Sequence, residues 1–301
     1  MNIIAVDWGK DVRKRSAYRA EVSTRHVSRL KFDGSLSHLV EFAATLEPPA
    51  LIGIDAAIGF PSAAWSRLVG SKVDRANTFI DFLLDGKLPD GFFEPVCTPA
   101  EWSPNRPFIR TPKGTWSLNA FINAAQGGFY RKIDQQLNGN PIFVTNNIPG
   151  SVGSGTRALW QELIALGAKS TFKCWPFQGP LEKLFSAGKP IIAEIYPKAC
   201  YGIALAESLP CALVAIAKTK RSAREDGIQR LLEAAWVNIR HVSIQGSPQA
   251  IANEDDFDAL LSAAALLRLF LEEAAIESQV SEGLGIEGGV LGSASILAAK
   301  Q

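Results

Sequence analysis

Three short apolar runs that each end on a carboxylate constrain this chain more than any other feature: IIAVDWG with Asp7, LIGIDAAIGFP with Asp55, and IIAEIYP with Glu194. Apolar runs this short are typical of buried strands. Carboxylates are costly to desolvate, so several of them at neighbouring strand ends share a cation or do acid/base work. A further acidic group, Asp255, Asp256 and Asp258, opens an apolar helix, where first-turn acids also serve the cap and the helix dipole.

The segments between these runs set the order of elements. Residues 2–8 predict the first strand, and the alternating segments 15–22 and 26–32, split by a polar break, predict an antiparallel meander after it. SLSHLVEFAATL at 35–46 has helical spacing with Ser35 as N-cap, and Pro48-Pro49 ends it before the strand ALIGID. The predicted order is β-β-β-α-β, with acids on the first and fourth strands. A short helix is expected over 62–69. The Pro-rich stretch from Pro89 to Pro112 is too broken for regular structure and too long for an ordinary connection, which predicts an inserted, functional loop. Further on, the spacing predicts helices over 116–138, 156–166, 198–207, 222–236 and 254–275, with strand-like TFKCWPF and IIAEIYP among them. The tail EGGVLGSASI is apolar enough to pack on the body.

With 301 residues the chain can bury one large α/β domain, and a formal net charge of +1 neither demands nor excludes a polyanionic partner. Cys97, Cys174, Cys200 and Cys211 form no CxxC pair and lack histidines at zinc spacing, so they read as buried thiols in a reducing compartment. No leader-like N-terminal segment and no run of about 18 apolar residues is present, so a cytoplasmic protein is expected.

In an open α/β sheet the carboxyl ends of neighbouring strands gather side chains into one crevice. If the strands of Asp7 and Asp55 are adjacent and parallel, the two carboxylates repel, and a bound Mg²⁺ or Mn²⁺ would hold both ionised. Asp255 and Asp258 share a helix face, so either can complete an all-oxygen site. Such sites, with metals roughly 4 Å apart, cleave phosphodiesters without a His or Cys nucleophile. His26, His38 and His241 have no HxxxH spacing and there is no GxSxG elbow, which disfavours a His-based hydrolase.

The words IIAVDWG, LIGIDAAIGFP, AEIYPKACYG, AKTKRSAREDGIQRLL and DDFDALLSAAALL, spread over residues 3–270, resemble the predicted nucleases of domain of unknown function family 429, of the ribonuclease H-like superfamily. The spacing Asp255-x-x-Asp258 is also similar to the closing acidic helix of RuvC-type Holliday-junction resolvases. The resemblance implies one α/β domain over 1–301, a ribonuclease H-like mixed five-stranded sheet flanked by helices, with an inserted loop and helical region at 86–168. It implies Asp7, Asp55 and Asp258 as the metal-binding catalytic triad, with Asp255 or Glu194 as supporting carboxylates, Mg²⁺ or Mn²⁺ as cofactor, and a nucleic acid as substrate. Two other readings stand beside it. One is a non-catalytic nucleic-acid-binding scaffold of the same fold. The other is an ATP-dependent phosphotransferase of the actin/sugar-kinase kind, because Asp7-x-Gly9 also resembles the first phosphate loop of that group.

For the substrate, residues 98–134 carry Arg106, Arg110, Lys113, Arg131 and Lys132 against Glu101 and Asp134, interleaved with Trp102, Phe108 and Trp116. Cations for phosphates beside rings for bases suit a single-strand binder; the competing reading is a loop anchored by its aromatics. A second basic stretch, 218–230, precedes a helix. Within it the resemblance to that family points to Lys220, Gly227 and Arg230, with a solvated helix face as the alternative. The turn GSVGSGT at 150–156 lacks the Lys-Ser/Thr ending of a Walker loop and reads as a helix start.

Overall fold

A computed structural model of the chain describes residues 1–68, 76–85, 88–110, 117–145, 152–167, 171–277 and 284–297. Its strands are β1 (Asn2–Asp7), β2 (Ser16–Glu21), β3 (His26–Leu30), β4 (Ala50–Ile54), β5 (Lys173–Cys174), β6 (Ile191–Glu194) and β7 (Ser243–Ile244). They form one seven-stranded sheet in the order β5-β6-β4-β1-β2-β3-β7. β2 is antiparallel to both its neighbours, and every other pairing is parallel. The expected β-β-β-α-β start is present, with the helix Leu36–Thr45 capped by the Ser35 hydroxyl.

The sheet has seven strands rather than the expected five. TFKCWPF contributes only the two-residue β5, and β7 is a two-residue addition held beside β3 by Ser243 N–H to Arg25 O at 2.9 Å and Gln245 N–H to Val27 O at 2.8 Å. β7 is too short to leave an apolar run to read.

The sheet is covered on both faces, and this is why its strands read as continuous apolar runs. Ile4, Val6, Ile52 and Ile54 face one core, shared with the helices Leu36–Thr45 and Gly153–Gly167 and with a group of rings that includes Phe60, Phe79, Phe108 and Trp160. Ile3, Ala5, Leu51 and Ala193 face the other, which contains the helices Pro197–Leu205 and Glu254–Leu271. The Pro-rich stretch follows the reading of a loop anchored by its aromatics: Phe92, Val96, Trp102 and Phe108 are buried and form part of the first core. Trp160, fully buried among them, donates its Nε1–H to Ala57 O at 2.9 Å and so ties this layer to the turn after β4.

The helix expected over 116–138 is broken into Leu118–Ala124 and Lys132–Gln136 at Gly127-Gly128, where Gln126 and Gly127 take positive φ. The C-terminal tail packs as expected: Leu291 N–H donates to Glu194 O at 2.9 Å, and Val290, Leu291 and Ile296 are buried. Cys174, Cys200 and Cys211 are buried as expected, while Cys97 is exposed. No helix among the described residues is long and apolar enough to cross a membrane.

Candidate metal centre

Asp7 is the last residue of β1, and Asp55 follows the last residue of β4. The two strands pair in parallel from Asn2 with Ala50 to Val6 with Ile54, and Asp55 extends the ladder by donating its N–H to Val6 O at 2.9 Å. Side-chain alternation then sends both carboxylates to the face of Ile3, Ala5 and Leu51, which is the face covered by the helix Glu254–Leu271. That helix starts at Asn253, whose Oδ1 accepts the N–H groups of Asp255 at 2.7 Å and Asp256 at 3.2 Å. Its buried face is rich in Ala259, Ala263, Ala264 and Ala265, and these small side chains let it lie close on the sheet. Gly53 helps from the other side: a Cβ there would meet Ile195 Cγ2 at 2.7 Å and Leu266 Cδ1 at 3.1 Å. The helix thereby carries Asp258 to the strand ends.

The result is that one carboxylate oxygen each from Asp7, Asp55 and Asp258 lie within 4.8 Å of one another. Trans ligands of an ion bound at roughly 2.1–2.5 Å are about 4–5 Å apart, so the spread suits a single divalent cation, and an all-carboxylate donor set suits a hard one such as Mg²⁺ or Mn²⁺. Asp255 lies close enough for its charge to help raise the Asp7 carboxyl.

The electrostatics argue that the cage is short of positive charge. Burial, then Asp258 and Asp55, push the Asp7 carboxyl well above the usual range. Burial and then Asp258 push Asp55 up to about 7. Asp258 is also raised by burial, although Lys218 opposes the shift. Burial raises Asp255 too, followed by its neighbour Glu254. The Lys218 ammonium offsets all four carboxylates, and Lys14 adds to it at Asp255. Lys218 bonds Asp258 Oδ2, while the Tyr201 hydroxyl donates to Asp258 Oδ1. Burial alone would lower the Lys218 pKa, but Asp258, Asp7 and Asp55 outweigh it and hold the ammonium above its ordinary value.

Glu194 does not belong to this group. Both its oxygens are engaged by the buried Arg131 guanidinium, with Nη1 to Oε2 and Nη2 to Oε1 both at 2.7 Å, and Oε2 also accepts Ile58 N–H at 2.8 Å. Arg131 completes its set with Asp134, at 2.6 Å and 3.0 Å, so it is a structural cation rather than a phosphate contact. Glu194 is therefore an anchor at the end of β6 instead of a metal ligand. A small open pocket lies between this ion network and Asp55, lined also by Asn140, Val152 and Tyr196.

The remaining expected substrate residues are scattered. Arg110, Lys220 and Arg230 are exposed, and Arg106 is half-buried with its guanidinium 3.8 Å from Glu94. Lys113 and Trp116 lie outside the described residues. Trp102 and Phe108 are buried, and Trp102 donates its Nε1–H to Pro107 O at 3.0 Å, so these rings anchor the layer and are withdrawn from base stacking. Gly227 faces a packing contact, since a Cβ there would come 2.8 Å from the Phe257 ring. Of GSVGSGT, residues 150 and 151 lie outside the described residues, and Gly155 lets the helix start press on Trp8 O, which a Cβ would meet at 2.7 Å. Asp256 is paired with Arg29 of β3 at 2.7 Å and 3.1 Å and is structural.

Sequence reasoning missed Lys218 and Tyr201. Lys218 lay in the basic word at 218–230, but nothing in that word separates it from Lys220. No protein-family model, curated protein or solved structure matches the chain.

Proposed function

We propose that the protein is a metal-dependent nuclease that hydrolyses phosphodiester bonds of DNA or RNA at the Asp7, Asp55 and Asp258 cage. The observation that carries this reading is the approach of three carboxylates from three separate elements to within 4.8 Å, a costly arrangement that a divalent cation would relieve. The β-β-β-α-β start, with a late helix bringing the third acid, supports the ribonuclease H-like assignment.

Bound there, Mg²⁺ or Mn²⁺ would supply the charge that activates a water and stabilises the leaving oxygen. The chain's own groups hold and orient. Asp7 and Asp55 present their carboxylates from rigid strand ends, Asp258 presents its own from the helix, and Tyr201 fixes the Asp258 rotamer. Asp255, whose charge acts on Asp7, is the supporting carboxylate. Burial of Asp258 lowers the local dielectric and strengthens each of these interactions.

The two other readings are less well supported. A scaffold gains nothing from keeping like charges together at a cost in stability. An actin/sugar-kinase-like phosphotransferase repeats its fold, whereas the sheet among the described residues is a single one. The test is Mg²⁺- and Mn²⁺-dependent cleavage of single-stranded, hybrid and branched substrates by wild type and by Asp7→Asn. Cleavage that needs the metal and is lost in Asp7→Asn is expected; equal cleavage by both proteins contradicts the reading.

A further inference from the structure

Lys218 differs from the other buried cations of this chain in what it is and where it sits. Arg15, Arg131 and Arg268 are each almost wholly enclosed and grip several acceptors at once, backbone carbonyls among them. A guanidinium held in that way is a fixture. Lys218 is a compact, strongly hydrated charge on a flexible stem, and its side chain keeps 35% of its exposure while Asp258 beneath it keeps 1%. The ammonium therefore meets the carboxylates from the solvent side.

The backbone under Lys218 is fixed. Arg224, itself buried, donates from Nη1 to Lys218 O, from Nε to Ile251 O at 2.8 Å and from Nη2 to Ala252 O at 3.3 Å. These bonds tie the Lys218 segment to the chain just before the acidic helix. Lys218 N–H donates to Ile216 O at 2.8 Å. Asp258 does not depend on Lys218 for its orientation, because Tyr201 holds the other oxygen. The arrangement leaves the lysine stem as the part that can move.

We propose that the Lys218 ammonium and a divalent cation are alternative occupants of the Asp7, Asp55 and Asp258 cage, and that Lys218, once displaced, binds a phosphate oxygen of the nucleic-acid substrate. The proposal rests on the metal-dependent reading above. Without metal, Lys218 is the resident counter-ion of the acids; with metal, it turns outward on its anchored backbone towards the mouth of the site, where the scissile phosphate must lie. This explains why a lysine, and not a further fixed guanidinium fork, occupies the position.

The test is Mn²⁺ titration by calorimetry and by loss of the free-ion paramagnetic resonance signal, without nucleic acid, for wild type, Lys218→Met and Lys218→Gln. Removing the competing ammonium should tighten Mn²⁺ binding by about tenfold in both variants. With Ca²⁺ in place of Mn²⁺ to suppress cleavage, anisotropy of a labelled single-stranded oligonucleotide should show about tenfold weaker binding by both variants. Melting in EDTA establishes that each variant is folded. Mn²⁺ affinity equal to or weaker than wild type in both folded variants overturns the exchange, and unchanged oligonucleotide affinity overturns the phosphate contact. Failure of the nuclease reading shows differently, as a wild type that neither binds Mn²⁺ nor cleaves. If the variants also fail to bind Mn²⁺, the exchange is overturned with it.

Discussion

The backbone N–H of Asp55 donates to the carbonyl of Val6 at 2.9 Å, which sets the Asp55 carboxylate directly beside that of Asp7. Two strands in register therefore hold two like charges together, and the helix Glu254–Leu271 adds Asp258 as a third. Packing of both cores fixes this geometry, so the repulsion is built into the fold and its relief is available to a ligand.

Neutralising one acid should separate stability from activity. Asp7→Asn removes repulsion from Asp258 and Asp55, so its melting temperature in EDTA should rise above that of wild type. The same variant should lose the stabilisation by Mn²⁺ and at least about a hundredfold in cleavage rate. Melting curves with and without Mn²⁺, beside a cleavage assay, check both halves.

The metal-free protein should lose stability as the pH rises. Asp55 is raised from 3.8 to about 7, and Asp7 and Asp258 are also raised, each by burial first. Above 3.8 the unfolded chain has released protons that the folded one still holds, so stability falls with rising pH until, for Asp55, about 7 is passed. Mn²⁺ favours the ionised acids, so its thermal shift should be larger at pH 8 than at pH 5 on the same linkage argument. Melting in EDTA and in Mn²⁺ at both pH values measures this.

Arg131 should matter for folding more than for chemistry. Arg131→Met leaves Glu194 and Asp134 buried without their cation, and a loss of about 3–5 kcal/mol in denaturant unfolding is expected. Glu194→Gln should weaken the protein in the same assay while its Mn²⁺ affinity, corrected for folded fraction, stays at the wild-type value.

Gly53 should tolerate no side chain. Gly53→Ala puts a methyl group against Ile195 and Leu266, with an expected cost of about 1–3 kcal/mol by chemical denaturation. Any shift of the acidic helix would also weaken Mn²⁺ binding.

Asp256 provides the contrast within one acidic word. Asp256→Asn breaks the pair with the half-exposed Arg29, which should cost about 1 kcal/mol, and should leave Mn²⁺ affinity unchanged.

Much of the site was legible because its acids end strong apolar runs. Asp7 and Asp55 follow strands whose burial on both faces gives an unambiguous signal, and Asp258 falls on the one long apolar helix after them. Glu194 carried the same local signal, but its partner Arg131 lies 63 residues away within a region of weak periodicity, so the pairing could not be read. Trp102 and Phe108 left two readings open in the sequence, because a Pro-broken stretch without long elements can either stack on bases or bury its rings, and here they are buried around Trp160. Lys218 could not be singled out because a loop cation becomes special only through what the fold places beneath it. The two-residue β7 carries no pattern of its own and exists through its partner β3.

The most direct test of the central claim is a crystal structure with Mn²⁺ present, with data collected to reveal its anomalous scattering. The account predicts a peak within roughly 2–2.5 Å of an oxygen from each of Asp7, Asp55 and Asp258, with the Lys218 ammonium turned away from Asp258. A Mn²⁺-saturated crystal with no peak in the cage, and with Lys218 still bonded to Asp258, would contradict it.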